Sequence, residues 1–568
     1  FDLDDLLPIV GEFGRYQKQL LWLVCLPACL PCGFCAFNQL FMSDTPPHWC
    51  KVPGLETLDV SRRKRLAIPI SQDNETYSQC TRYDIDWTAE NISVVTTASY
   101  VPNASWPIVP CDHGWEYETS EVKSSIVIDF DLVCDHAIYP TIGLVALNTG
   151  GPIGVYLFGT LNDRIGRRLS FFTCLATLIT GGFLTSMSNS FWTWAATRVV
   201  VGLTIPAIYQ IPFIISLELV GPNYRSFVTV MTCSFYTMGL CMLAGVTYLI
   251  RDWRTLAITT SAPFLLYFLY WWLLPESPRW LLAKSRLVEA NEVLERLAKV
   301  NGKELPTSFS QKLRQRMMMS RSKSEEERLR NGPGVLSLFK TPNMRLKTCL
   351  ITLNWFANNM VYVGLSYYGP ALGNEEHLSF FFSSLAEIPS YMACWIVMDR
   401  WGRRWPLCLS MVLAGVSCIA TVLLSSDAVV TTLILFLLSK SAISASFLII
   451  YPFAGELYPT QLRGVAIGFS AYISGLVKSS RNLRELFGKD WTCADCFRCV
   501  PTKYESYHWQ KLSIKYINIP SYVNVVNNAS LLWLILDLHR PRLLTKIYRS
   551  ERRWRCTKYL RHRFLRDC

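Results

Sequence analysis

The stretch GTLNDRIGRR, Gly159–Arg168, sets a charged hinge, DRIGRR, between two long apolar runs. The hinge returns as DRWGRR at Asp399–Arg404, 236 residues later, again between apolar runs. A second pattern shares nearly the same offset. Glu218 and Arg225 in ELVGPNYR are seven apart, as are Glu456 and Arg463 in ELYPTQLR, 238 residues further on. Two different motifs in one register imply a structural unit used twice.

What the unit is follows from the apolar runs. Of the 568 residues, 51% are hydrophobic and 17% charged, and the apolar residues come in blocks of roughly 20, long enough to cross a bilayer core about 30 Å thick. Spans are predicted near 20–42, 137–160, 169–189, 191–216, 227–250, 255–274, 347–369, 378–398, 406–425 and 429–454, with another beginning near Gly464. Backbone groups in lipid must bond within the chain, and spans of this length exclude a barrel. The fold class is therefore an all-α polytopic membrane protein. Phe1 is not an initiating Met, which reads as a trimmed or incomplete start. The first apolar run is too long for a signal peptide, and its flank FDLDDLLP is acidic.

The net charge of +13 suggests a nucleic-acid partner, but its location removes that reading: residues 476–568 hold 19 Lys and Arg against 7 Asp and Glu, leaving the rest near neutral. Segment 43–136 carries Cys50, Cys80, Cys111 and Cys134 and three glycosylation sequons, at Asn74, Asn91 and Asn103. Paired cysteines beside sequons place it outside the cell, with three disulfide pairings open. Parity then puts the basic 275–346 loop and both hinges inside, where Lys and Arg collect. Within that loop RLVEANEVLERLAKVNG has helical spacing and a Gly stop.

GTLNDRIGRR resembles the loop signature of the major facilitator superfamily at every defined position. QCTRYDIDW, CDHGWEYE, DFDLVCD, PESPRWLL and GELYPTQLRG narrow the resemblance, over residues 1–475, to the organic cation/carnitine transporter branch, solute carrier family 22. PESPRW and the hinges also occur in sugar porters, but the large Cys-bearing first loop argues against that branch. The resemblance implies a major facilitator fold of two six-helix bundles. The domains are then an amino-terminal bundle (1–274), a cytoplasmic loop (275–346) and a carboxy-terminal bundle (347–475). It also implies alternating-access transport, at the plasma membrane, of a small organic ion: a cation or a zwitterion such as carnitine. Which ion is coupled is not implied. Parallel repeats with a midplane site are in any case a transporter architecture.

Gating falls to the repeated motifs: Gly159, Asp163, Arg164, Gly166, Arg167, Arg168, Glu218 and Arg225, with Asp399, Arg400, Arg403, Arg404, Glu456 and Arg463 in the second half. Gly159 is expected to let helices approach closely, Asp163 to sit at a helix N-terminus, and the arginines to reach carboxylates such as Glu218. Arg198, in RVVVG, resembles the superfamily's Arg-x-x-x-Gly element and joins this set. Ionisable residues within spans are costly and mark function, so Glu387 and Lys440 are candidate substrate contacts. Asn354, Asn358 and Tyr362 recur every fourth residue, hence on one helix face, with Trp355 beside them. Phe447 and Tyr451 repeat this spacing, and Tyr209 and Gln210 align with the family's cavity. Rings attract a cation and amides serve either charge; the bland reading of each aromatic is helix packing. Where cation-selective relatives carry Asp and anion or carnitine relatives Arg, this chain has Gly475.

The family pattern stops at Leu476, and 476–568 reads as an atypical basic tail of alternative or aberrant coding origin. The second bundle is then incomplete. The alternative function is that of a non-transporting membrane protein, either receptor-like through its disulfide-bonded loop or a truncated isoform that modulates full-length partners. In CADCFRC, Cys493, Cys496 and Cys499 lack a convincing fourth ligand, so no metal is expected. There is no phosphate-binding Gly-Lys loop and no zinc-protease or serine-hydrolase signature, hence no enzyme chemistry and no cofactor. The expected partners are the organic ion and the lipid bilayer.

Overall fold

The computed structural model describes residues 7–70, 77–85, 87, 106–120, 122–284, 286–303, 315, 338–369, 375–423, 429–458, 466, 469–470 and 473. Asn74, Asn91, Asn103, Arg463, Gly475 and the tail lie outside the described residues, as do the side chains of Asp399 and Glu456. The described chain forms two compact units, one up to residue 315 and one from 338.

In the first unit α1 (Arg15–Met42) is followed by the predicted disulfide-rich segment. That segment is not helical throughout: β1 (His48–Cys50) pairs antiparallel with β4 (Trp115–Tyr117), and β2 (Thr81–Tyr83) with β3 (Ile108–Pro110). Helix α2 (Val60–Ala67), capped by Asp59, closes a small core of Trp49, Val52, Leu55, Leu66, Ile68 and Trp87. So few apolar residues hold a fold weakly, and cross-links compensate. Of the three open pairings the structure has Cys50–Cys111 and Cys80–Cys134, separated by 61 and 54 residues in sequence. Loops of that length lose roughly 4 kcal/mol of unfolded-chain entropy per bridge.

Four long helices follow: α3 (Tyr139–Ile165), α4 (Arg167–Ser186), α5 (Phe191–Leu219) and α6 (Arg225–Leu249). The sixth predicted span is interrupted. Helix α7 (Trp253–Thr259) stops, and Ala262–Trp271 winds as 3-10 turns. Pro263 lacks the N–H that would continue α7. The short α8 (Pro278–Ala283) leads into α9 (Leu287–Val300), the expected amphipathic helix, which buries Ala290, Leu294, Leu297 and Ala298. Asn301, just past its end, accepts from the Tyr16 amide at 3.0 Å and donates to Gln17 Oε1 at 2.9 Å, tying the loop helix to the start of α1.

The second unit contains α10 (Pro342–Tyr368), α11 (Glu376–Leu385), α12 (Glu387–Trp401), α13 (Arg404–Leu423) and α14 (Val429–Leu457). The repeat is visible here. Helices α4 and α13 both have 20 residues, and α5 and α14 both have 29. The hinge glycines share a backbone state too, Gly166 at φ +101° and Gly402 at φ +74°, which L side chains rarely adopt. Among the described residues eight helical stretches are long and apolar enough to cross a membrane. The interrupted sixth is not among them, nor is α10, whose asparagines lower its apolarity.

Close helix approach does not occur where expected. Gly159 is exposed, with open space around a Cβ, whereas a Cβ at Gly154 would lie 1.8 Å from the Leu203 carbonyl oxygen and one at Gly202 2.0 Å from that of Leu147. Small residues join α3 to α5 backbone against backbone. Gly154→Ala should therefore lower folded yield and melting temperature, while Gly245→Ala, with nothing within 4 Å, should leave both unchanged; thermal unfolding of the two purified variants measures this.

Candidate substrate site and loop latch

The second unit holds a buried ion pair. Lys440 Nζ, on α14, lies 3.0 Å from Glu387 Oε1 at the start of α12, with side chains 2% and 0% exposed. Glu387 Oε2 accepts from Tyr391 Oη at 2.9 Å and Tyr362 Oη at 3.5 Å. Lys440 also hydrogen-bonds Ser366 Oγ, and its ammonium sits 3.7 Å from the Tyr362 ring centroid. Removing two charges from water costs several kcal/mol each, which good geometry and added hydrogen bonds must offset. Both are supplied here.

Aromatic rings continue from this pair along α10 and α14. Tyr362 meets Phe447 at 5.5 Å between centroids, Phe447 meets Trp355 at 5.6 Å, and Trp355 meets Tyr451 at 4.6 Å. Helical spacing brings them together, since Trp355 and Tyr362 are two turns apart on α10 and Phe447 and Tyr451 one turn apart on α14. The polar stripe divides. Asn358 donates to the Asn354 carbonyl at 3.0 Å and to Asn354 Oδ1 at 3.2 Å, and its amide also faces Met411 Sδ of α13 at 4.0 Å. The two asparagines thus spend those bonds on α10 itself, while Trp355 and Tyr362 serve the ring cluster. Tyr209 and Gln210 belong to the first unit, where Tyr209 stacks on Phe213 and hydrogen-bonds Cys233, and Gln210 is exposed. Sequence reasoning missed Ser366 and Tyr391. Tyr391 follows Glu387 by one helical turn, a signal that was present.

At the hinge end of the first unit, Arg167 holds Glu218 through two contacts, Nε to Oε2 at 3.3 Å and Nη2 to Oε1 at 3.2 Å. A planar fork on a carboxylate is the geometry arginine favours. Asp163 is only 3.3 Å from Arg167 Nη1 and 77% exposed, and it ends α3 rather than starting a helix. The carboxylate at the N-terminus of α4 is instead Glu276, whose Oε1 accepts from the Arg167 amide at 2.7 Å and whose Oε2 accepts from the Arg168 amide at 3.3 Å. Such a site favours negative charge. Trp280 Nε1 donates to the Asp163 carbonyl at 3.0 Å, and Arg168 lies over the Trp271 ring. Glu276 and Trp280 stand in PESPRW, so the motif marked them without revealing their partners. Arg164 is exposed, and Arg225 opens α6. Arg198 sits near the opposite end of α5 from Glu218, about 30 Å away at 1.5 Å per residue, and takes no part in the hinge. Arg400 is exposed and Arg403 and Arg404 half-buried; the side chains of Asp399 and Glu456, the second half's acids, lie outside the described residues.

Residues 104–480 match the sugar (and other) transporter family. The carcinine transporter of Drosophila melanogaster is 63% identical over 481 residues, 84% of this chain and 71% of that protein. The Drosophila beta-alanine transporter is 41% identical, covering 83% of this chain and 80% of that protein. The chain belongs to the major facilitator superfamily, on its solute carrier family 22 branch. A solved structure of the xylose transporter XylE from E. coli has the same fold, with TM-score 0.53 at 13% identity over 90% of this chain and 98% of that one.

In this superfamily member the buried pair makes a double-variant test possible. Glu387→Gln or Lys440→Gln alone leaves one buried charge unpaired, a cost of about 3–5 kcal/mol, and should lower the melting temperature by several degrees. The double variant should recover most of that loss. For the latch, Arg167→Gln and Glu276→Gln should cut uptake at least tenfold at unchanged surface expression, and Asp163→Asn, on the exposed side, by much less; uptake normalised to surface biotinylation gives the order.

Proposed function

We propose that the transporter carries small organic cations and zwitterions with a free ammonium group across the plasma membrane by alternating access. The substrate ammonium takes the place of Lys440 at Glu387. The observation that supports this most is the Lys440–Glu387 pair itself: a primary ammonium already rests on a buried carboxylate, under a tyrosine ring and beside hydroxyl groups. A substrate ammonium brings the same charge and the same three donors. The ring cluster of Trp355, Phe447 and Tyr451 then covers the apolar part of the solute. Carcinine and beta-alanine, named for the two Drosophila relatives, both carry a primary amine. A quaternary ammonium such as that of carnitine offers rings its charge but offers Ser366 and Glu387 no hydrogen bond, so it is the poorer fit.

Hinge latching serves the same cycle. Breaking Arg167–Glu218 and releasing Glu276 from α4 frees the loop ends that must move. Asp399, Arg400, Arg403, Arg404, Glu456 and Arg463 take the matching part in the second half.

Uptake of labelled carcinine, beta-alanine and carnitine by cells expressing the full chain tests the reading. The expected order is carcinine and beta-alanine well above carnitine, and Glu387→Gln should reduce all uptake at least tenfold. Carnitine uptake exceeding both amines, or full uptake by Glu387→Gln, would overturn the assignment of the site.

A further inference from the structure

Arg198 poses a separate problem. Its side chain is within α5, 1% exposed, and it donates from Nη2 to Thr185 Oγ1 at 2.6 Å. Thr185 is neutral. The guanidinium lies 5.6 Å from the Trp194 ring centroid, which attracts the charge without cancelling it. Nε and Nη1 have no acceptor, and no carboxylate among the described residues pairs with this arginine. A buried unpaired charge costs far more than a fold tolerates.

A second buried group faces the same region. Gln39 of α1 is 2% exposed, and neither end of its amide has a partner. Its Nε2 lies 3.4 Å from where a Cβ on Gly143 would stand, a point that is also 2.3 Å from the Trp194 ring, so the amide rests beside that ring. Two turns earlier on α1, Cys32 Sγ donates to the Ile205 carbonyl of α5 at 3.3 Å, so the two helices are in contact, with Cys35 between that point and Gln39. Antiparallel α1 and α5 therefore set Gln39 by Trp194 and Cys35 by Arg198. Three unpartnered donors, two of them on the guanidinium, thus flank the ring of Trp194, near the end of the bundle where residues 126–133 pack on Phe191 and Trp194.

We propose that this cluster binds a small inorganic monovalent anion of chloride's size. Trp194 and Thr185 beside it are 0% exposed, so a small ion able to shed its water suits the place. The anion neutralises Arg198, while the Nε, Nη1 and Gln39 Nε2 donors replace its water. The site is distinct from the Glu387 site, which takes the opposite charge.

The test is thermal unfolding of the purified full chain at constant ionic strength, with chloride replacing gluconate. A ligand that binds only the folded state stabilises it in a saturable way, here on the order of 2–5 °C. Bromide should act like chloride. Arg198→Gln removes the charge, and Gln39→Glu supplies a permanent carboxylate; both should be insensitive to the anion. A wild-type protein that does not distinguish chloride from gluconate would overturn the proposal, as would a wild-type response retained in both variants. Should Arg198→Gln fail to fold, Gln39→Glu decides alone, because a response kept in that variant places the anion elsewhere.

Discussion

A charge inside an apolar bundle has to be answered by another charge, and the way each is answered shapes this molecule. Glu387 and Lys440 answer each other across two helices, at 3.0 Å and away from solvent. Arg167 and Glu218 do so at the loop end of the first unit, aided by the Glu276 carboxylate on the amides that begin α4. Arg198 has only a neutral hydroxyl and a ring. Pairs of this kind contribute less to stability than an apolar packing of equal volume would. The presence of two such pairs, and of a third buried charge without one, is better explained by use than by folding.

The architecture was legible because lipid restricts the choices. Apolar blocks had to be helices, and the matched hinges had to mark a duplicated unit. The equal lengths of α4 and α13 and of α5 and α14, with a positive-φ glycine just before α4 and just before α13, are that duplication in backbone form. The interrupted sixth span was not legible from hydropathy, since Pro263 ends a helix without changing the apolar count. Nor was the strand pairing of the first loop, where short strands carry little pattern.

Site residues were legible by type more than by partner. Glu387 and Lys440 stood out because charge in a span is costly, yet spacing alone did not reveal that they meet. The asparagine stripe shows the converse limit. Fourfold spacing correctly put Asn354 and Asn358 on one face, but hydrogen bonding between neighbours one turn apart satisfies the helix first. Glu276 takes the role expected of Asp163 for a related reason: a helix N-terminus takes whichever carboxylate the fold brings to it, and that one arrived from more than a hundred residues away.

The proposed exchange of Lys440 for a substrate ammonium at Glu387 has an electrical corollary. With Lys440 in place the resting site carries no net charge, so the transmembrane voltage has little hold on the unloaded carrier. When a monovalent cation occupies the carboxylate and Lys440 keeps its proton, the loaded carrier gains one positive charge, worth about 2.3 kcal/mol per 100 mV if it crosses the whole field. An inside-negative cell then drives import on the loaded stroke alone, whereas a zwitterion rides without that assistance.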